Sequence, residues 1–153
     1  MKVVLQRCSE ESILIDNSIN RKISQGLVIL LGITNGDTKE DIDYLVKKII
    51  NLRIFEDYNN KMNYSIQDIN GSILLVSQFT LYADTRKGNR PSFTNSMNYN
   101  DAKELYELFI KTLKNENIPF ETGEFGSDMK VSLVNDGPVT IIIDSKEIKN
   151  EKK

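Results

Sequence analysis

Two stretches carry the groups best placed to do chemistry: Ser77-Gln78-Phe79-Thr80, which closes one apolar run, and Asn135-Asp136-Gly137-Pro138-Val139-Thr140, which interrupts another. The first offers hydroxyl and amide side chains at the carboxyl end of a strand-like segment, where sites on sheets are often built. Its plainer alternative is a set of strand-end polar residues bonded to neighbouring backbone. The second places proline, which cannot donate a ladder hydrogen bond, between two strand-like runs. Asn, Asp, Gly and Pro are turn residues, so a turn joining two closing strands is the direct expectation. A rigid Gly-Pro peptide held on strands could instead aim its backbone groups at a ligand.

Missing residues narrow the chemistry further. The chain has no histidine and one cysteine, Cys8. That removes Ser-His-Asp and Cys-His mechanisms, imidazole base catalysis and His- or thiolate-held zinc. There is no GxGxxG and no GxxxxGK[ST]. Asp57 with Asp68 and Glu121 with Glu124 could be paired carboxylates, but among 22 acidic residues such coincidences are expected, and a solvated surface is the better reading. No metal and no cofactor is expected. An enzyme built from these residues works through backbone dipoles, amide and hydroxyl side chains and groups of its own substrate.

The elements that must position these stretches follow from periodicity. The 153 residues, 39% hydrophobic and 27% charged, suit one globular domain. Residues 2–7 and 12–15 read as two short strands before turn chemistry at Asp16-Asn17, and Gly26 to Ile33 as a strand buried on both faces. Thr38 and Asp41 approximate a capping box, opening an amphipathic helix over about 39–52. Asn70-Gly71 turns into a strand over Ser72 to Leu81. A polar loop from Tyr82 to Asn100 contains Arg86, Lys87 and Arg90, and a loop this long is usually functional or disordered. A second amphipathic helix spans about 101–115, with Asn100 as its N-cap. The expected fold is α+β: residues 1–145 as a single domain, a mixed, barrel-like sheet of six to seven strands and two helices, then a frayed charged tail over 146–153.

Net charge is -2, so the chain lacks the global basic field of a protein that tracks nucleic acid by its phosphates. Cys8 reads as a small buried hydrophobe in a reducing compartment. The amino-terminal residues reach a charge too early for a signal peptide, and no apolar run approaches membrane-span length, so a cytoplasmic address and no membrane partner are expected.

Taken together, Ser77-Gln78-Phe79-Thr80-Leu81 and Asn135-Asp136-Gly137-Pro138-Val139-Thr140 resemble the paired signature of the D-aminoacyl-tRNA deacylases, also called D-tyrosyl-tRNA deacylases. The likeness extends to Val4-Leu5-Gln6-Arg7, the strand Gly26 to Gly32, Asn51 to Asp57, Lys61-Met62-Asn63, Lys87 to Phe93 and Phe125-Gly126 before Asp128-Met129. The resemblance implies a hydrolase that cleaves the ester between a D-amino acid, or glycine mischarged on tRNA(Ala), and the terminal adenosine of tRNA. Such an ester is already activated, so positioning and oxyanion stabilisation supply much of the rate. It also implies a homodimer in which a cis Gly137-Pro138 element of one subunit enters the pocket of the other. There its carbonyl would accept from the substrate ammonium while its rigid backbone excludes an L side chain.

By the same resemblance Ser77, Gln78, Phe79 and Thr80 line the opposing wall. Gln78 orients the ester and Phe79 meets the terminal adenine or offers its amide to the oxyanion. Thr80 holds the position of a suspected nucleophile, yet no base is in sight to activate it, so a hydrogen-bonding wall with water and the tRNA 2'-hydroxyl is preferred. Met129 and Ser127 belong to the substrate side, and Ser127 departs from the family's usual alanine. Arg86, Lys87 and Arg90 would meet acceptor-end phosphates, their alternative being a solvated basic loop. The segment Thr94 to Asn100 lacks the proline the resemblance leads one to expect. Two rivals stay open: a non-catalytic dimeric module of the same fold binding nucleic acid or protein, and a general esterase using Ser or Thr with Lys.

Overall fold

Three long strand paths run side by side. In the computed structural model, which describes residues 1–151, β1 (Lys2–Ile15) is paired antiparallel along nearly its whole length with β8 (Met129–Asp144). Its other edge carries β3 (Gly26–Gly32) against residues 2–8 and β2 (Ile19–Ile23) against residues 11–15. The strands expected over 2–7 and 12–15 are therefore one strand. The intervening Arg7 to Glu10 is a bulge where pairing with β8 shifts register, and it lets the strand bend without breaking.

Beyond β3 the sheet continues in parallel with β6 (Ser72–Ser77) and β7 (Phe120–Thr122). A separate two-stranded sheet pairs β4 (Phe55–Glu56) with β5 (Met62–Tyr64). The bent halves of β1 and β8 carry β2 round until the Arg21 guanidinium donates to the Thr122 carbonyl on β7. The mixed sheet is thereby rolled almost into a barrel, in line with the expected α+β fold. Strand β3 is apolar throughout because both its faces are covered. Leu27, Ile29 and Leu31 belong to the core under the helices, and Val28 packs with Cys8, Ile13, Ile15, Leu74 and Val76 inside the roll.

Helix α1 (Lys39–Asn51) starts as predicted, with the Asp41 carboxylate accepting from the Thr38 amide at 2.8 Å. Helix α2 (Tyr99–Lys114) starts earlier than its periodicity suggests. Its cap is Asn98, whose side chain accepts from the Asp101 amide at 3.0 Å, because Tyr99 and Asn100 already take the first helical turn. Both helices lay one apolar face on the sheet through residues such as Ile42, Leu45, Ile49, Tyr106 and Phe109.

Three further expectations are corrected. The strand from Ser72 ends at Ser77, and Phe79–Tyr82 form a 3-10 helix, with the Leu81 amide on the Gln78 carbonyl and the Ala83 amide on that of Thr80. The closing pair of strands is the single strand β8, and its Gly137-Pro138 peptide is cis. Between the pairs Gln6↔Thr140 and Cys8↔Asn135, one β1 residue opposes residues 136 to 139, so the turn-forming residues make an outward bulge without reversing the chain.

The third correction concerns the tail. The part of it within the described residues is helical, α3 (Ser145–Glu151), while Lys152 and Lys153 lie outside them. Ser145 Oγ donates to Asp41 Oδ1 at 2.7 Å and Lys149 Nζ reaches Asp41 at 3.0 Å, so α3 is tied to α1. Burial alone would raise the Asp41 pKa, but hydrogen bonds from Ser145, the Thr38 amide and Lys149 overcome it and hold the group near about 2. Among the described residues no helix is long and apolar enough to cross a membrane.

Candidate active site

The end of β6 opens into a cavity. Ser77 is the last strand residue, and the Gln78 amide extends the pairing by donating to the Leu31 carbonyl at 2.8 Å. The backbone then turns into the 3-10 helix, which leaves Phe79 at the surface, 56% exposed. Ser77, Gln78 and Phe79 form one wall of a cavity of about 560 Å³. Ser127, in the turn before β8, and Met129, its first residue, also line the cavity. Val76 and Val131 contribute apolar lining, while Tyr99 and Phe125 meet edge to face at 5.1 Å and also border the cavity. The structure thus brings together five of the residues singled out in the sequence from segments fifty positions apart.

Thr80 stands beside this cavity and is not among its lining residues. Its exposed hydroxyl accepts from Gln78 Nε2. Among the described residues no lysine or carboxylate hydrogen-bonds to Ser77 or Thr80, so the geometry supplies no base that would make either an alkoxide. The Phe79 and Thr80 amides open a short helix, and first-turn amides have no intrahelical acceptor, which leaves two donors at the cavity edge.

Gly137 and Pro138 are elsewhere. Both are exposed and neither lines the cavity of its own chain. What holds their bulge is a buried charge. Arg7 is only 5% exposed; its Nε donates to the Asp136 carbonyl at 2.9 Å and its Nη1 to the Ile54 carbonyl at 2.8 Å, and Nη2 lies 3.7 Å from Glu56. Asn135 Oδ1 adds an acceptor for the Val139 amide at 3.3 Å. Gly137 has φ +131°, and a Cβ there would stand 2.8 Å from Val139 and 3.0 Å from the Arg7 guanidinium, so the position needs glycine on two counts. Gly126, at φ +81°, is constrained likewise by the Tyr99 ring, 2.8 Å from any added Cβ.

The three basic residues share a loop but differ in state. Arg86 binds Asp84 through two hydrogen bonds of 2.9 and 2.7 Å, and these hold the Asp84 carboxyl down near about 2. Lys87 and Arg90 are exposed near the loop tip and, among the described residues, have no acidic partner. The suspected carboxylate pairs dissolve into local roles. Asp57 accepts from the Asn59 and Lys61 amides and Asp68 from that of Ser65, while Glu124 pairs with Arg21 at 3.4 Å.

Sequence reasoning missed Arg7 and Asn135 as the supports of the bulge, and Tyr99 and Phe125 as cavity aromatics. An arginine at an inward position of a strand was the available signal for the first. The aromatics sit on a helix start and in a loop, where no periodicity marks them.

Residues 4–144 match the sequence model of the D-Tyr-tRNA(Tyr) deacylase family. The chain belongs to this family. It is 60% identical over 146 residues to a D-aminoacyl-tRNA deacylase of Finegoldia magna, covering 95% of this chain and 99% of that one. To a D-aminoacyl-tRNA deacylase of Thermosipho africanus it is 55% identical over 148 residues, covering 97% and 99%. Among solved structures, the c-Myc DNA Unwinding Element Binding Protein superposes with a TM-score of 0.88 at 38% identity, covering 94% of this chain and 98% of that chain. A probable eukaryotic D-amino acid tRNA deacylase superposes at 0.81 with 17% identity over 93% and 97%, a likeness of fold alone.

Proposed function

We propose that the protein hydrolyses the ester linking a D-amino acid, or glycine carried on tRNA(Ala), to the terminal adenosine of tRNA, and spares L-aminoacyl esters. One observation carries the reading: the cavity beside Ser77, Gln78 and Phe79 is open, while the rigid Gly137-Pro138 bulge of the same chain is exposed and outside it. A second copy can deliver that bulge. The outer edge of β8 has no strand partner among the described residues, and Val134 and Ile142 on this strand are 54% and 66% exposed. A long unpaired edge bearing apolar side chains favours a covering partner.

In such a homodimer the partner's copy of the bulge supplies a carbonyl for the substrate ammonium, and its backbone occupies the space an L side chain needs. No side chain has to read the amino acid, so many D-residues and glycine fit. Gln78 orients the ester, and the free amides at Phe79 and Thr80 face the developing oxyanion, where preorganised donors contribute most. Thr80 stands at the edge of the site, where its hydroxyl holds the Gln78 side chain. Water attacks with help from the neighbouring 2'-hydroxyl of the tRNA. Tyr99 and Phe125 give the terminal adenine a stacking surface, Met129 and Ser127 bound the amino-acid side, and, from the loop, Arg86, Lys87 and Arg90 lie toward the acceptor phosphates, with Arg86 already paired to Asp84. Action in the cytoplasm follows from a tRNA substrate.

Release of tyrosine from D-Tyr-tRNA and L-Tyr-tRNA, and of glycine from Gly-tRNA(Ala), tests this. Cleavage of the first and third with the second spared is expected; equal cleavage of both tyrosyl enantiomers would sink the chiral reading. Replacing the terminal 2'-hydroxyl by hydrogen should collapse the rate, whereas a Ser or Thr nucleophile would be little affected. A second reading draws on the relative described as binding a DNA unwinding element: tight DNA binding without any ester cleavage. The net charge of -2 argues against it, and the same assay separates the two.

A further inference from the structure

We propose that the Phe79–Phe93 edge is a second nucleotide subsite, on which the base preceding the terminal adenosine stacks before the strand passes to Lys87 and Arg90. This rests on the deacylase reading above and extends it outward from the cavity. Phe79 lines the cavity, but its edge-to-face partner Phe93, with ring centroids 5.1 Å apart, is not among the lining residues and is 38% exposed. The aromatic surface therefore continues past the rim, where burial gives it no reason to be.

Its position is fixed. Ser96 Oγ donates to the Phe79 carbonyl at 3.0 Å and the Ser96 amide to the Phe93 carbonyl at 3.0 Å, so the turn carrying Phe93 is tied to the 3-10 helix carrying Phe79. The residue before Phe93, Ser92, exchanges two backbone hydrogen bonds of 2.7 and 2.9 Å with Asp84, closing the loop that carries the basic residues. Arg86 is neutralised by Asp84 within that loop, which leaves Lys87 and Arg90 as its uncompensated charge among the described residues.

An exposed aromatic step leading to a local positive charge, on a chain of net negative charge, fits an unpaired nucleic-acid end better than a duplex. Single strands are held by base stacking plus backbone neutralisation, and every base offers a face. The order along the strand follows from the order of the parts: ester in the cavity, next base on Phe93, phosphates beyond it at the loop tip.

The test compares kcat/KM for D-tyrosine esterified to adenosine alone and to the trinucleotide C-C-A. The wild type should favour the trinucleotide, and that preference should fall about tenfold in Phe93→Ala and Phe93→Leu, the size of one lost stack, while Phe93→Tyr retains it. Leucine keeps apolar contact with Phe79, so a loss in both variants reports stacking and not packing. In parallel, 2-aminopurine at the penultimate position of an unacylated oligonucleotide ending in A should be quenched by the wild type and not by Phe93→Leu. An unchanged preference in both Phe93 variants, or a wild type that treats the two esters alike, overturns the subsite. Quenching without hydrolysis of any D-tyrosyl ester would instead overturn the deacylase reading and leave the subsite standing.

Discussion

The cavity wall and the Gly137-Pro138 bulge are built on opposite principles. The wall is local: Ser77 to Phe79 are consecutive, Gln78 is engaged by the nearby Thr80 hydroxyl, and Ser96 donates to the Phe79 carbonyl. The bulge is held from beneath by a long-range buried group, since Arg7 ties the Asp136 carbonyl to that of Ile54 on another segment. One region is held by contacts among surface neighbours and the other by a buried guanidinium. The proposed exclusion of an L side chain draws on that anchor, because shape exclusion works only if the excluding surface does not yield.

The sharpest way to break the contrast is to remove its anchor. Arg7→Ala leaves two carbonyls without their donor in a buried setting, and should cost about 3–5 kcal/mol in urea unfolding and most of the D-Tyr-tRNA hydrolysis. Arg7→Lys should recover little, since one ammonium cannot span both carbonyls in the guanidinium's geometry. If Arg7→Ala cleaved D-Tyr-tRNA at the wild-type rate, the idea of a rigid bulge would fail.

A second buried charge just beyond the bulge behaves in the contrary way. Glu11 is 3% exposed and, among the described residues, neither of its oxygens finds a hydrogen-bond partner, and burial pushes its pKa up to about 8 from the usual 4.5. The folded state binds the proton more tightly than the unfolded chain. Stability is therefore full below about 4.5, falls as pH rises, and levels off once pH passes about 8. Asp41, held near about 2, acts in the reverse sense and loses its contribution only as pH falls from 3.8 toward 2. Chemical denaturation across pH 5 to 9 should show a decline of a few kcal/mol that Glu11→Gln flattens. A slope that survives the substitution would place the titration elsewhere.

How much of this was legible in the sequence differs between the two regions for physical reasons. Helix α1 and strand β3 follow from periodicity and capping, which are local, whereas the rolling of the sheet rests on β1 pairing with β8 and on Arg21 reaching Thr122. Ser77, Gln78 and Phe79 could be singled out because they end an apolar run. The bulge could not be told from a turn, because Asn-Asp-Gly-Pro chemistry serves both, and only pairing with β1, more than a hundred residues away, decides that the chain continues straight. The helical tail escaped for the same reason. Its charged residues have no apolar stripe, and it is held by Ser145 and Lys149 on the buried Asp41. Resemblance, not pattern, pointed to the Gly-Pro element as a gate.

A milder probe of the rigid region is Gly137→Ala. The left-handed backbone and the 2.8 Å approach to Val139 should together cost about 1–3 kcal/mol of stability. The informative readout is the ratio of D-Tyr-tRNA to L-Tyr-tRNA cleavage, which should drop because a displaced bulge no longer fills the L side-chain space. A fall in both rates at constant ratio would make the bulge a structural support and not a gate.

The smallest effect belongs to the locally held region. Thr80→Val keeps the shape of the side chain and removes the hydroxyl that Gln78 engages at the surface, so stability should change by under about 1 kcal/mol. If Thr80 only holds Gln78, kcat should fall by less than about tenfold, because the proposed oxyanion donors are backbone amides that the substitution leaves in place. If it were the nucleophile, the loss would be several orders of magnitude and no covalent intermediate could form. Gln78→Ala frees the hydroxyl while removing the group that orients the ester, and should therefore cost more than Thr80→Val. The reverse order would move the chemistry from the backbone to the threonine and, with it, require a base that the described residues around Thr80 do not supply.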